Sequence, residues 1–218
     1  MDWALLRGLD DAEQREVVAA STTRRYDRGE VIFHQGDPGD TLHLIASGRV
    51  AVRATTAAGD AVTYAVLGPG EAFGELALLS ADARRTSTIV ALEPVQTRVL
   101  RRDQFETLRQ RRPGLDRVLV EVLARRVRRL SAHLVEALYV PVEQRVVRRL
   151  IVLCRQYGED GDTSVTVPLT QTDLAEMAGA TRPTVNKVLR SLEAAGVITR
   201  ARGRIEVLDR HALRRYAG

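Results

Sequence analysis

Cysteine is nearly absent from this chain. The single Cys154 among 218 residues excludes an internal disulfide and any cysteine-only metal site within one chain, an iron–sulfur cluster included. It falls in the apolar run Leu150-Ile151-Val152-Leu153-Cys154, where a small buried residue fits. Histidine is also sparse. His34 and His43 lie nine residues apart in strand or turn segments, and neither His133 nor His211 has a partner at ligand spacing. A metal-dependent enzyme needs clustered histidines and carboxylates, and the chain offers none. No apolar run reaches membrane-spanning length and no secretory leader is seen, so a soluble cytoplasmic protein is expected.

Positive charge is present in quantity, almost all of it as arginine. Lys+Arg is 33 against 28 Asp+Glu, a formal net charge of +5, and Lys187 is the only lysine. The charge is uneven: −1 over residues 1–112, +2 over 113–140 and +4 over 141–218. This favours a polyanion partner for the C-terminal part, although a solvated basic face has the same signature.

The texture of the sequence changes along its length. Residues 3–20 read as an amphipathic helix with Leu5, Leu6, Leu9, Val17 and Val18 on one side. From about residue 22 to 100 come short strand-like runs: 31–33, 42–45, 50–52, 62–67, 88–90 and 95–100. Turn signals separate them, at Gln35-Gly36-Asp37-Pro38-Gly39-Asp40, Ser47-Gly48, Ala58-Gly59-Asp60 and Gly68-Pro69-Gly70. This pattern suggests a small antiparallel roll or barrel. Residues 102–112 read as helix. Pro113 then opens a segment in which Leu115, Leu119, Val122 or Leu123, Val127, Leu130, Leu134 and Leu138 recur every three or four residues. The result is an apolar seam on a helix of about 25 residues, roughly 38 Å long. The seam packs either on its own chain or in a two-chain coiled coil. Pro141 marks a kink or boundary before helix resumes through Val146, Val147, Leu150 and Leu153.

Two segments carry chemistry. In Phe73-Gly74-Glu75-Leu76-Ala77-Leu78-Leu79 followed by Arg85-Thr86, one acid and one base stand ten residues apart after a run of turn glycines. Glycine lets backbone approach a ligand, a carboxylate accepts a sugar hydroxyl proton, and a guanidinium forks onto a phosphate. A short helix from Leu76 would also face an anion with its free N–H groups. A turn with two ordinary surface charges has the same spacing.

The second segment is a helix-turn-helix. Thr170 caps a short helix with Asp173 three residues on, and Ala178-Gly179-Ala180 turns the chain. Thr181 caps a second helix that tolerates Pro183 in its first turn. Val185, Val188, Leu189 and Leu192 form its buried stripe, and Arg182, Thr184, Lys187 and Arg190 lie away from it. Two short strands around Ala201-Arg202-Gly203 read as a basic wing. This layout places the second helix in a DNA major groove, where arginine pairs with guanine. A small helical domain that binds protein is the alternative.

Together these segments resemble the CRP/FNR superfamily of bacterial transcription regulators. Phe73-Gly74-Glu75-Leu76-Ala77-Leu78 with Arg85-Thr86 resembles the family's phosphate-binding cassette, and residues 181–189 resemble its recognition helix. The resemblance implies an α+β chain: a jelly-roll-like cyclic-nucleotide-binding β-roll over residues 1–112, a central dimerisation helix over 113–140, and a winged helix-turn-helix over 141–218. It implies a homodimer controlled by a cyclic nucleotide, cyclic AMP above all, without a metal, which binds palindromic double-stranded DNA and works with RNA polymerase.

Carried over residue by residue, Glu75 would bind the ribose 2′-hydroxyl. Arg85 and Thr86 would hold the cyclic phosphate beside the Gly74 backbone, with Leu76 and Leu130 at the ligand. Ser131 matches a serine that reaches the base from the partner subunit. Arg182 would read guanine, Thr170 and Thr181 would contact phosphate, and Lys187 would contact base or backbone. Gln171, Pro183, Thr184, Arg190 and Arg202 complete the DNA-facing set.

Two positions depart from the family pattern. Leu130 stands where a threonine helps read adenine, and leucine makes no such hydrogen bond. Pro183 stands where a glutamate accepts from cytosine, so the usual operator sequence does not carry over. A regulator of the same fold that answers another effector, or none, is the alternative reading.

Overall fold

The computed structural model describes residues 3–7, 9–55, 61–112, 114–159 and 161–217. Pro113 and the expected turn Ala58-Gly59-Asp60 lie outside them, as does Asp160 of the turn expected over 157–162. In chain order the elements begin with α1 (Asp11–Ala20), β1 (Thr22–Tyr26), β2 (Val31–Phe33), β3 (Thr41–Ser47), β4 (Val50–Thr55), β5 (Ala61–Leu67) and β6 (Ala72–Phe73). There follow α2 (Glu75–Leu79), β7 (Thr88–Ala91), β8 (Val95–Arg101), α3 (Arg102–Arg111), α4 (Gly114–Tyr139) and α5 (Val142–Tyr157). The chain ends with β9 (Val165–Val167), α6 (Gln171–Ala178), α7 (Arg182–Ala194), β10 (Ile198–Ala201), β11 (Arg204–Val207) and α8 (Arg210–Arg215). It divides into two compact units, residues 1–54 with 64–130 and residues 131–218 with 55–63, the division falling within α4.

The first unit is a roll of two antiparallel sheets, ordered β1-β8-β3-β6 and β2-β7-β4-β5. Strand side chains alternate between faces, so each sheet sends every second residue inward. Ile45, Val50, Phe73, Ile89 and Val95 fill the space between the sheets. The other face of the β1-β8-β3-β6 sheet is covered by a second cluster built on Leu6, Leu42, Leu100, Phe105 and Leu115. Burying one such side chain fully is worth about 1.5–3 kcal/mol.

The first helix is shorter than the leucine spacing suggests. It starts at Asp11 because Asp10 and Glu13 form a capping box: Glu13 N–H donates to Asp10 Oδ1 at 2.8 Å, and Asp10 N–H to Glu13 Oε2 at 2.8 Å. Leu5, Leu6 and Leu9 are buried from an irregular lead-in, anchored by the Trp3 indole N–H donating to the Ile45 carbonyl at 2.8 Å.

The second unit packs α5, α6, α7 and α8 with the antiparallel sheet β10-β11-β9. Its core draws Val146, Leu150 and Leu153 from α5, Leu174 from α6, and Val185 and Leu189 from α7. Cys154 is buried there, and burial pushes its thiol up to about 11. Pro141 caps the start of α5. No helix among the described residues is long and apolar enough to cross a membrane.

Candidate functional site

The first unit holds a cavity of about 680 Å³. Its polar wall is built by the step from β6 to α2. Gly74 joins them with φ +91, and a Cβ there would stand 2.6 Å from the Thr41 carbonyl oxygen and 2.7 Å from Arg85 Nη1. Only glycine fits both the backbone angle and the space. Gly74, Glu75, Leu76, Arg85, Thr86 and Leu130 all line the cavity. Ser131 is exposed on α4 and is not among the lining residues.

Arg85 is 5% exposed. Its Nη1 donates to the carbonyls of Thr41 at 2.8 Å and Gly74 at 3.3 Å, and its Nη2 to Thr41 Oγ1 at 2.6 Å. The Phe33 ring centroid lies 4.0 Å from Cζ. Burial pushes the guanidinium pKa down, and the carboxylates of Asp40, Asp37 and Glu75 oppose the shift. Nε is buried without a partner among the described residues. Of five N–H donors, the Nε–H and one on Nη2 remain uncommitted. They form the parallel edge that forks onto an oxyanion.

Glu75 is 1% exposed. Its Oε1 accepts from Arg126 Nη1 on α4, and Arg126 Nη2 donates to the Ala72 carbonyl at 2.7 Å. Burial raises the Glu75 pKa and Arg126 opposes the rise. Oε2 is buried and has no partner among the described residues. Two residues of one cavity wall thus each keep a buried polar atom without a partner among the described residues, a carboxylate oxygen and a guanidinium nitrogen. That pair suits a ligand with a hydroxyl donor and an anionic group. The remaining walls are apolar, with Val52, Leu67, Leu123, Val127 and Leu130. The hydroxyls of Tyr64 and Ser87 are hydrogen-bonded to each other.

In the second unit, Thr170 and Asp173 form a reciprocal capping box at the start of α6, and Gly179 ends it with φ 57. Thr181 then caps α7, accepting from the Thr184 N–H, with proline in the first turn. Thr170, Thr181, Arg182, Pro183, Lys187, Arg190 and Arg202 are exposed, and Gln171 and Thr184 are half-buried. The Val185, Val188, Leu189 and Leu192 stripe faces the core, leaving Arg182, Lys187 and Arg190 outward. Gly203, with φ +74, turns the basic wing between β10 and β11.

The family model of the Cyclic nucleotide-binding domain matches residues 23–112, and that of the Crp-like helix-turn-helix domain matches residues 144–216. The chain is 32% identical over 224 residues to the CRP-like cAMP-activated global transcriptional regulator of Mycobacterium tuberculosis, covering 100% of both chains. The chain belongs to the CRP/FNR superfamily of bacterial transcription regulators. It is also 34% identical to the Cyclic AMP receptor protein of Thermus thermophilus, across 98% of this chain and 96% of that one. The structure of the c-di-GMP-responsive global regulator CLP of Xanthomonas campestris has the same fold, with a TM-score of 0.77 at 22% identity over 91% of this chain and 99% of that one. This chain is therefore a transcription regulator, not an enzyme, with a cyclic-nucleotide-binding domain and a DNA-binding helix-turn-helix.

Within this regulator the structure adds residues that sequence spacing did not single out. Arg126 lines the cavity and pairs with Glu75. It stands three residues after Leu123 and four before Leu130, on the helix face that lines the cavity, and that register was its one signal in the sequence. In the second unit, Arg200 on β10 donates from Nε to Glu193 Oε2 at 2.9 Å and from Nη1 to Asn186 Oδ1 at 2.9 Å, tying the wing to α7. Hydrogen bonding from Arg200 holds the Glu193 carboxyl below its usual range.

Proposed function

We propose that this protein is a homodimeric, cytoplasmic transcription regulator whose DNA affinity is set by cyclic AMP bound in the first unit. Arg85 and Glu75, both lining one cavity and each with a buried polar atom that has no partner among the described residues, carry this reading. Arg85, with Thr86 and the Gly74 backbone, would hold the cyclic phosphate, and Glu75 would accept from the ribose 2′-hydroxyl. Both matches to regulators named for cyclic AMP support that nucleotide.

The α4 seam supports the dimer. Val127, Leu130, Leu134 and Leu138 are 61%, 50%, 61% and 67% exposed, at coiled-coil spacing. Two copies joined along this seam would present two α7 helices to successive major grooves, about 34 Å apart. Arg182 would read guanine, Thr170, Gln171, Thr181 and Arg202 would hold phosphates, and Pro183, Thr184, Lys187 and Arg190 would complete the groove contact. RNA polymerase is the proposed further partner. Ligand shifts DNA affinity only by binding one of two dimer arrangements better than the other.

The apolar lining around Leu130 favours a second reading, the same regulator answering a different effector. Operator selection from random duplexes, with and without cyclic AMP, tests the proposal. Palindromic sites recovered only with the nucleotide support it, and equal recovery without nucleotide favours the second reading.

A further inference from the structure

With Nη1 and one Nη2 hydrogen of Arg85 committed, the Nε/Nη2 edge is the one left to meet an anion, and something must hold the guanidinium that way. Thr41, the first residue of β3, meets it twice, through its carbonyl and through its hydroxyl. An arginine can only donate, so Thr41 Oγ1 accepts from Nη2 and its own proton is left to donate elsewhere. The acceptor within reach is His43 Nε2 at 3.2 Å. On the far side of that ring, His43 Nδ1 stands 3.4 Å from Thr97 Oγ1. The imidazole is 5% exposed and stacked on Phe73, with centroids 4.7 Å apart and planes 11° apart. Burial, with Arg85 and Arg24 nearby, lowers its pKa to about 3, so the ring is neutral and keeps one nitrogen free to accept.

The backbone reinforces the arrangement. A Cβ on Gly39 would lie 3.0 Å from both Cδ and Nε of Arg85, so the arginine stem lies in a glycine cradle.

We propose that Thr41 is a positioning residue for the ligand-binding guanidinium, its hydroxyl oriented by His43, so that Arg85 presents its Nε/Nη2 edge to an anion. A directed chain runs Arg85 to Thr41 to His43 to Thr97, each member donating to the next. Its consequence for ligand rests on the reading that Arg85 holds the cyclic phosphate. Its structural core does not.

The test pairs Thr41→Val, which keeps the shape and carbonyl and deletes the hydroxyl, with Thr41→Ser, which restores it. In ligand-free ¹⁵N-labelled protein, the Arg85 side-chain resonances are identified by their loss in Arg85→Lys. They should show separately resolved Nη protons in the wild type and in Thr41→Ser, and averaged ones in Thr41→Val. Equally resolved Nη protons in Thr41→Val overturn the proposal. By calorimetry, Thr41→Val should weaken cyclic AMP binding about tenfold, the cost of a hydrogen bond to a charged group, and Thr41→Ser should restore it. In the Arg85→Lys background the same valine substitution should cost less than about twofold, because the coupled partner is gone. An equal loss in that background, or in Thr41→Ser, overturns the proposal. If the wild type binds neither cyclic AMP nor cyclic GMP, the effector reading falls, and the resonance comparison still decides the role of Thr41.

Discussion

Glu75 on α2 and Arg126 on α4 form an ion pair whose acidic side chain is 2% exposed and whose basic side chain is 27% exposed. The carboxylate at the centre of the candidate site is thus held from the long helix. Arg126 neutralises a charge that burial alone would make expensive. It takes only one oxygen, and Oε2 of this cavity-lining residue is left without a partner among the described residues. The pair therefore links a ligand-facing group to the helix that carries the exposed seam.

Removing one partner should cost more than removing both. Arg126→Met leaves a buried carboxylate uncompensated and should lower unfolding free energy by about 3 kcal/mol. Adding Glu75→Gln should recover most of that loss. The sign of the pH effect follows from the raised Glu75 pKa. A folded carboxyl that holds its proton more tightly than the unfolded one loses stability as pH rises from the ordinary carboxylate range toward its own raised value. Without Arg126 that window widens, so the Arg126→Met deficit should be larger at pH 8 than at pH 5. Urea unfolding at the two pH values reads this, and a deficit independent of pH contradicts it.

Much of the site was legible because glycines and caps have narrow physical meanings. Gly74 before Glu75 marked a turn into a short helix, and the φ of +91 is the reason. Thr170 with Asp173, Gly179, and Thr181 with Pro183 located α6 and α7 by capping chemistry alone. Other elements carried no such signal. The strand β1 is exposed along Thr22 to Arg25 and has no apolar alternation to betray it. The two-residue β6 is too short for a period, and α8 begins on an Asp209 cap in a stretch where the wing was expected to end. Arg126 was one arginine among Arg125, Arg128 and Arg129, marked in the sequence only by its register with Leu123 and Leu130, and the fold shows its pairing with Glu75. The sequence showed His43 only as an isolated histidine, because Phe73 and Thr97 reach it through strand pairing, while Thr41 meets it from two residues back on the same strand.

His43 should leave a mark on acid stability. Its folded pKa is about 3, against 6.5 for the unfolded side chain, with burial as the main cause. The unfolded state therefore binds the extra proton between those values. Stability from this group is complete above about pH 6.5 and is lost as pH falls, by up to about 1.4 kcal/mol per pH unit. His43→Gln removes the titration, so its stability between pH 6.5 and 4.5 should fall less steeply than that of the wild type. Parallel curves from urea unfolding contradict the assignment.

On the DNA side, Arg182→Ala should act selectively. Losing a bidentate contact to guanine costs about 1–3 kcal/mol at the cognate operator and relaxes preference at that one base pair. Binding to unrelated duplexes should change little. A uniform loss across sequences, with a shallower salt dependence, would make Arg182 a phosphate contact instead.

The exposed α4 seam predicts its own disruption. Leu134 is 61% exposed in the single chain, so Leu134→Glu should leave its fold and melting of the isolated subunit largely intact. Sedimentation should show a dimer for the wild type and a monomer for the variant. A wild-type monomer at micromolar concentration, or a dimeric variant, contradicts the seam as the interface.

Titration calorimetry with cyclic AMP on the wild type and on Arg85→Ala decides whether Arg85 binds the phosphate of a cyclic nucleotide. Saturable binding to the wild type is expected, with a loss of about 100-fold or more in the variant, the cost of two charge-assisted hydrogen bonds. Wild-type protein that binds neither cyclic AMP nor cyclic GMP while still gripping a specific operator would contradict it. So would an Arg85→Ala variant that binds as tightly as the wild type.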